Sequence, residues 1–135
     1  MNEHIDTLDP AILWRHFRTL CNIPRPSGHE AALVAYLIDW AEARGLAHDR
    51  DAFGNLRLRK PATPGHESAA GIVLQGHLDM VAQAASDSDH DFTRDSLDTY
   101  LEDGWLKARG TTLGADNGLG VAAGLGGLGD DSLVH

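Results

Sequence analysis

The chain has 135 residues, enough for one domain with its own hydrophobic core, and its 20 acidic against 11 basic side chains give a formal net charge of −9. This acidic balance argues against nucleic acid and against an anionic membrane as partners, because both require a basic surface. No apolar run approaches the roughly 20 residues of a membrane span, and the N-terminus lacks the basic and apolar regions of a signal peptide. We therefore expect a cytoplasmic location.

An amphipathic helix is predicted after Asp9 and Pro10, which are placed to serve as its N-cap and first helical residue. Its apolar residues recur at helical spacing, and Pro24 and Pro26 end it. Cys21 is the only cysteine, so the chain has no intrachain disulfide. We expect a buried structural thiol there, not a nucleophile.

A second helix is predicted from the capping-box spacing of Ser27 and Glu30, and Gly45 is placed to close it. Alternating apolar and cationic residues over 55–60 predict a strand, and the apolar run at 71–75 predicts another. Asp103-Gly104 predicts a tight hairpin turn. A helix of small residues is predicted after Asn117. Helices interleaved with strands indicate an α/β fold, with helices packed on a mixed sheet.

His77 and Asp79 follow the apolar run at 71–75 after a single glycine, Gly76. Side chains two residues apart in an extended segment point the same way, so both should project together from the end of the predicted strand. An imidazole that binds a metal through one nitrogen commonly has a carboxylate at the other. The pair is therefore a candidate metal ligand with its orienting partner, although such pairs are often only solvated polar residues.

Other patterns are weaker candidates. The aspartate-rich run at 87–98 begins like an EF-hand loop, but Phe92 stands where a glycine must turn and Asp98 where glutamate is required. The glycines at 124–129 match the G-x-G-x-x-G motif of dinucleotide-binding sites. That motif requires a preceding strand, and a helix is predicted there instead, so we do not expect a dinucleotide site. Five further histidines fall in termini, caps or loops and are expected to be plain solvated side chains: His4, His29, His48, His66 and His90.

Asp116 lies between glycines just before the last predicted helix. Taken alone it is best interpreted as a helix N-cap. The flanking glycines also allow close backbone approach and unusual dihedral angles, which would help one carboxylate to reach two metals.

Taken together, several short sequence blocks make the chain resemble the aminoacyl-histidine dipeptidases, also called cytosol non-specific dipeptidases, of the dizinc peptidase clan. The resemblance is carried in order by residues 23–30, 51–55, 73–81, 90–93 and 107–118. It implies dipeptide hydrolysis of the Xaa-His type and two zinc ions per complete site, with cobalt or manganese as alternatives. It also implies that His77 binds one zinc, that Asp79 is the catalytic-site carboxylate orienting His77, and that Asp116 bridges both metals, with the Asp116–Asn117 peptide bond in the cis form.

The resemblance further implies features that this sequence lacks. The family's glutamate base lies in a Glu-Glu pair, which does not occur in the chain. We therefore expect residues 1–135 to be the N-terminal portion of a catalytic domain, without its remainder or the lid and dimerisation domain. Because a catalytic zinc takes three protein ligands, the chain alone is expected to be inactive.

Two alternatives remain open at this point. One is that the chain is a truncated, non-catalytic interaction module, whose open sheet edge supports self-association. The other is that a separate chain supplies the missing ligands.

Overall fold

The computed structural model describes residues 1–134 and contains three α-helices, a short 3-10 helix at Glu3–Thr7, and four short strands. The helices are α1 (Ala11–Asn22), α2 (Ala31–Glu42) and α3 (Ala115–Gly129). The strands are β1 (Ala47–Arg50), β2 (Leu56–Arg59), β3 (Thr99–Glu102) and β4 (Trp105–Ala108). The α/β class is confirmed.

The strands form two separate antiparallel sheets, β1–β2 and β3–β4, in place of the one mixed sheet that was expected. Each sheet is a local hairpin. In β3–β4 the turn residues Asp103 and Gly104 both have positive φ, 51° and 79°, as a primed turn requires, so this predicted hairpin is confirmed. In the other sheet β2 is the predicted strand at 55–60, and its partner β1 had no clear alternating pattern in the sequence.

The prediction of a strand at 71–75 is wrong. The segment leads to His77, but in the described part of the chain its backbone has no partner strand. Its apolar side chains are exposed, and Val73 reaches 90%. A strand requires a second strand to exchange backbone hydrogen bonds with it. Here β1 pairs with β2 and β3 pairs with β4, so neither sheet includes residues 71–75.

The core lies between the helices and the segments packed on them. Its most deeply buried apolar members come mainly from α1, α2 and α3: Phe17, Leu20, Cys21, Leu33, Leu37, Ala41, Ala122 and Leu125. The predicted helix of small residues after Asn117 corresponds to α3, which packs chiefly against α1. A Cβ built on Gly118 would lie 2.9 Å from the Phe17 ring, so this glycine permits the close contact between α1 and α3.

Asn2 joins the N-terminus to distant parts of the chain. Its buried amide donates to Asn22 Oδ1 at 2.7 Å and to the Leu97 carbonyl at 2.9 Å. Its Oδ1 accepts hydrogen bonds from the backbone N–H and hydroxyl of Thr99. These contacts hold the start of β3 against the end of α1.

None of the helices in residues 1–134 combines the length and apolarity needed to cross a membrane.

Cys21 is buried on α1, as expected, and burial raises the pKa of its thiol to about 12. Since the thiolate is the reactive form, we expect the folded protein to react with a disulfide reagent such as DTNB at pH 8 at least about a thousandfold more slowly than the unfolded chain. Absorbance at 412 nm in buffer and in denaturant measures this ratio. Rapid reaction under native conditions would contradict the buried placement, and Cys21→Ser supplies the blank.

Candidate metal centre

The segment that carries His77 and Asp79 is anchored at Met80, its first buried residue. Met80 forms a parallel bridge with Pro26. Its N–H donates to the Arg25 carbonyl at 3.0 Å, and its carbonyl accepts from the Ser27 N–H at 3.3 Å. The turn between α1 and α2 therefore fixes the end of this segment, although residues 71–76 are not held in a sheet.

The His77 imidazole and the Asp79 carboxylate lie together on one side of the segment. His77 Nδ1 is 3.0 Å from Asp79 Oδ1. The other carboxylate oxygen of Asp79 accepts a hydrogen bond from the Ser27 hydroxyl. The hydrogen bond from Ser27, with a further contribution from His77, lowers the pKa of Asp79, so this carboxylate remains an anionic acceptor for the imidazole.

Asp116 approaches the opposite nitrogen of the same ring. It lies in the first turn of α3, where Asp116 and Asn117 depart from helical dihedral angles, and the peptide bond between them is cis. Its Oδ1 is 3.2 Å from His77 Nε2, and its side chain is 93% exposed. Hydrogen bonding to Asp116, and less strongly to Asp79, raises the pKa of His77. The predicted cis bond is confirmed, whereas Asp116 does not cap α3 with its side chain.

The glycines around Asn117 allow its side chain to pack beside the site. A Cβ on Gly76 would lie 2.6 Å from Asn117 Oδ1, and a Cβ on Gly120 would contact the same amide. Asn117 thereby occupies the space between the His77 segment and α3.

The donor atoms fit part of a zinc or similar divalent metal site. One imidazole nitrogen faces one carboxylate, and the second imidazole nitrogen is held by Asp79, which is the usual arrangement of a metal-binding histidine. Within residues 1–134, however, no group of three or more histidine, cysteine, aspartate or glutamate side chains is placed to hold a metal. The described residues therefore bring together two candidate ligands, His77 and Asp116, and one carboxylate that holds the imidazole.

Two residues of this centre were missed in the sequence. Ser27 was interpreted as part of a capping box, but α2 begins at Ala31, Glu30 bonds to the Gly28 N–H, and the Ser27 hydroxyl is used by Asp79. Arg25 is buried behind the site. Both lie in the 23–30 block that contributed to the resemblance, and this was the available signal.

Three of the other histidines are not the plain solvated side chains that were expected. His4 Nε2 lies 2.9 Å from the Thr99 hydroxyl, and His48 Nε2 lies 3.0 Å from a Glu42 carboxylate oxygen. His90 packs edge-on against Phe92. These contacts are structural, and in residues 1–134 none of these histidines forms part of a metal-binding cluster.

No protein-family model matches the sequence. The cytosol non-specific dipeptidase of Escherichia coli (strain K12) is 49% identical over 133 residues, which is 98% of this chain and 27% of the relative. The crystal structure of aminoacylhistidine dipeptidase from Vibrio alginolyticus superposes with a TM-score of 0.94 at 48% identity, covering 100% of this chain and 28% of that one.

The chain thus spans about a quarter of the length of the relatives it matches. The sequence alignment covers 98% of the chain and the superposition covers all of it, which confirms the resemblance found in the sequence. Over its own length, the chain is similar in sequence to a cytosol non-specific dipeptidase and in sequence and fold to an aminoacylhistidine dipeptidase.

Proposed function

We propose that this chain is part of a metal-dependent dipeptidase that hydrolyses Xaa-His dipeptides, with His77 and Asp116 as ligands to a divalent metal. The observation that carries this proposal is the His77 ring, which is held by Asp79 at Nδ1 and faced by Asp116 at Nε2. The names of the two relatives support the reaction class. By the same homology we infer a cytoplasmic location and equivalence to the N-terminal portion of a catalytic domain.

Each side chain has a distinct task in this proposal. Asp79 accepts a hydrogen bond from Nδ1–H and so leaves Nε2 with its lone pair directed at the metal position. Ser27 holds Asp79 from behind. Asp116, being almost fully exposed, has room to accept a metal and to bridge to a second one. Zinc, or cobalt or manganese in its place, would lower the pKa of a bound water and polarise the peptide carbonyl.

We further propose that the chain does not catalyse the reaction by itself. A catalytic zinc takes three protein ligands, and the described residues bring together two. The sequence also contains no Glu-Glu pair of the kind that the family resemblance associates with the base. A dipeptide would therefore find an incomplete site.

Zinc binding tests the ligand assignment. We expect weak binding by the purified chain, lost in His77→Ala and Asp116→Ala and weakened about 10- to 100-fold in Asp79→Ala, because orienting partners typically contribute this much to metal affinity. Isothermal calorimetry with zinc chloride measures each variant. His66→Ala is the matched control, since His66 is an exposed histidine outside the helices and strands and is not among the residues of the candidate site. Equal affinity of His77→Ala and the native chain would refute the assignment.

Activity tests the incompleteness of the site. The purified chain incubated with zinc and a Xaa-His dipeptide is expected to release no histidine above the rate without protein. Chromatography of the products with amine detection measures this. Clear turnover that His77→Ala abolishes would show that the chain is catalytically sufficient.

A second candidate function is self-association as an interaction module. Residues 72–74 expose three large apolar side chains next to a backbone that has no partner strand in the described part of the chain. An unpaired extended segment can add a strand from another molecule. For this candidate the partner is a second copy of the chain.

Light scattering as a function of concentration tests self-association. Val73→Lys places a charge in the middle of the exposed run and should shift oligomers towards monomer, because a lysine on an edge opposes strand addition. Exposed Phe53, which lies on the β1–β2 turn, gives the control Phe53→Lys. A native chain that stays monomeric at high concentration would exclude this function.

A further inference from the structure

Arg25 is a buried charge that the proposed chemistry leaves unexplained. It lies between Pro24 and Pro26, and only 1% of its surface is exposed. Within residues 1–134 no carboxylate forms an ion pair with it at contact distance. Burial of an unpaired guanidinium is costly unless its N–H groups are fully used, so its hydrogen bonds indicate its purpose.

All of its hydrogen bonds go to backbone carbonyls of three separate segments. Nε donates to the Leu20 carbonyl at 3.3 Å. Nη1 donates to the carbonyls of Leu78 at 3.1 Å and Asp79 at 3.5 Å. Nη2 donates to the carbonyl of Gly114 at 2.8 Å. One planar group therefore links the end of α1, the His77 segment and the loop before α3.

These carbonyls lie next to the two candidate metal ligands. Leu78 directly follows His77, and Gly114 precedes Asp116 by two residues. The two segments are far apart in the sequence, and the direct contact between their side chains is the 3.2 Å approach of His77 Nε2 and Asp116 Oδ1 on the surface. The buried guanidinium links the same two segments a second time, through their backbone carbonyls. The spacing between its two Nη atoms is fixed because the group is planar and rigid.

Glycines near Asp116 leave room for this link. A Cβ on Gly114 would lie 2.6 Å from Arg25 Nη2, and a Cβ on Gly118 would lie 2.8 Å from the same atom. Gly114 also has a φ of +69°, which a side chain would strain. The glycines on either side of Asp116 thus serve the arginine as well as the backbone.

We propose that Arg25 is a positioning residue for the metal centre, which holds the His77 segment and the Asp116 loop at the separation that lets both side chains reach one metal ion. The role in metal binding rests on the proposed function, whereas the link between the two segments does not. Arg25 acts through backbone carbonyls and touches neither metal nor substrate.

The conservative variant Arg25→Lys separates positioning from charge. Lysine keeps the positive charge and much of the apolar stem, but one ammonium cannot span carbonyls on both segments in the geometry of a guanidinium fork. We expect the zinc affinity, measured by calorimetry, to fall roughly tenfold or more, as it does when residues that orient metal ligands are removed. We also expect millimolar guanidinium to restore part of the affinity in Arg25→Ala.

Two controls exclude a general loss of stability. Leu33→Ala opens a cavity in the hydrophobic core beside α2 and should lower the melting temperature. The folded variant should keep the native zinc affinity. Arg109→Lys alters an exposed arginine that pairs with Asp98 and should leave both quantities unchanged. If Arg25→Lys does not fold, Arg25→Gln, whose single side-chain amide cannot reach carbonyls on both segments, takes its place and is judged by the same two measurements.

A measurement without metal keeps this inference separate from the proposed function. In the metal-free protein, the nuclear Overhauser effect between the His77 ring and the Asp116 methylene should weaken in Arg25→Lys, while that between His77 and Asp79 persists. Native zinc affinity in a folded Arg25→Lys would overturn the positioning role, and so would an unchanged effect between His77 and Asp116. If zinc does not bind, or binds equally well without His77, the proposed function is overturned instead. The metal-free measurement would still decide whether Arg25 links the two segments.

Discussion

The geometry of the candidate site depends on a buried guanidinium whose partners are all carbonyl oxygens. Arg25 has no side-chain counter-ion at contact distance in residues 1–134, so its desolvation is offset mainly by well-placed backbone groups. Those groups belong to segments that carry His77 and Asp116. The α1–α2 turn adds two hydrogen bonds to Met80 and supplies the Ser27 hydroxyl. The turn between α1 and α2 therefore supplies most of the hydrogen bonds that position the site.

The sequence predicted well what depends on near neighbours. The orientation of His77 and Asp79 on one side follows from extended backbone alone, and it holds even though the segment is not part of a sheet. The hairpin turn at Asp103-Gly104 follows from two residues that tolerate positive φ. The role suggested for Asp116 and its cis peptide bond came only from the family resemblance, since an aspartate before a helix is by itself an ordinary cap.

Features that depend on distant partners could not be predicted. The run at 71–75 has the composition of a strand, but whether it becomes one is decided by a neighbouring strand. Ser27 satisfied a local capping pattern and is used instead by a carboxylate 52 positions away. Arg25 lies in the 23–30 block that contributed to the resemblance, but its bonding role left no residue pattern, because the oxygens that receive its hydrogen bonds are main-chain atoms.

The contact between His77 and Asp116 spans 39 positions, and that between Arg25 and Gly114 spans 89. Both sheets, in contrast, are hairpins whose strands are near neighbours in the chain. Because closing a long loop costs more entropy than closing a short one, local elements tend to form early in folding and such distant contacts late. The order of events during folding is therefore expected to run from the hairpins and helices to the metal centre. A conformation in which the hairpins and single helices have formed, while the α1–α3 contact and the site are still open, is then expected shortly before the native state.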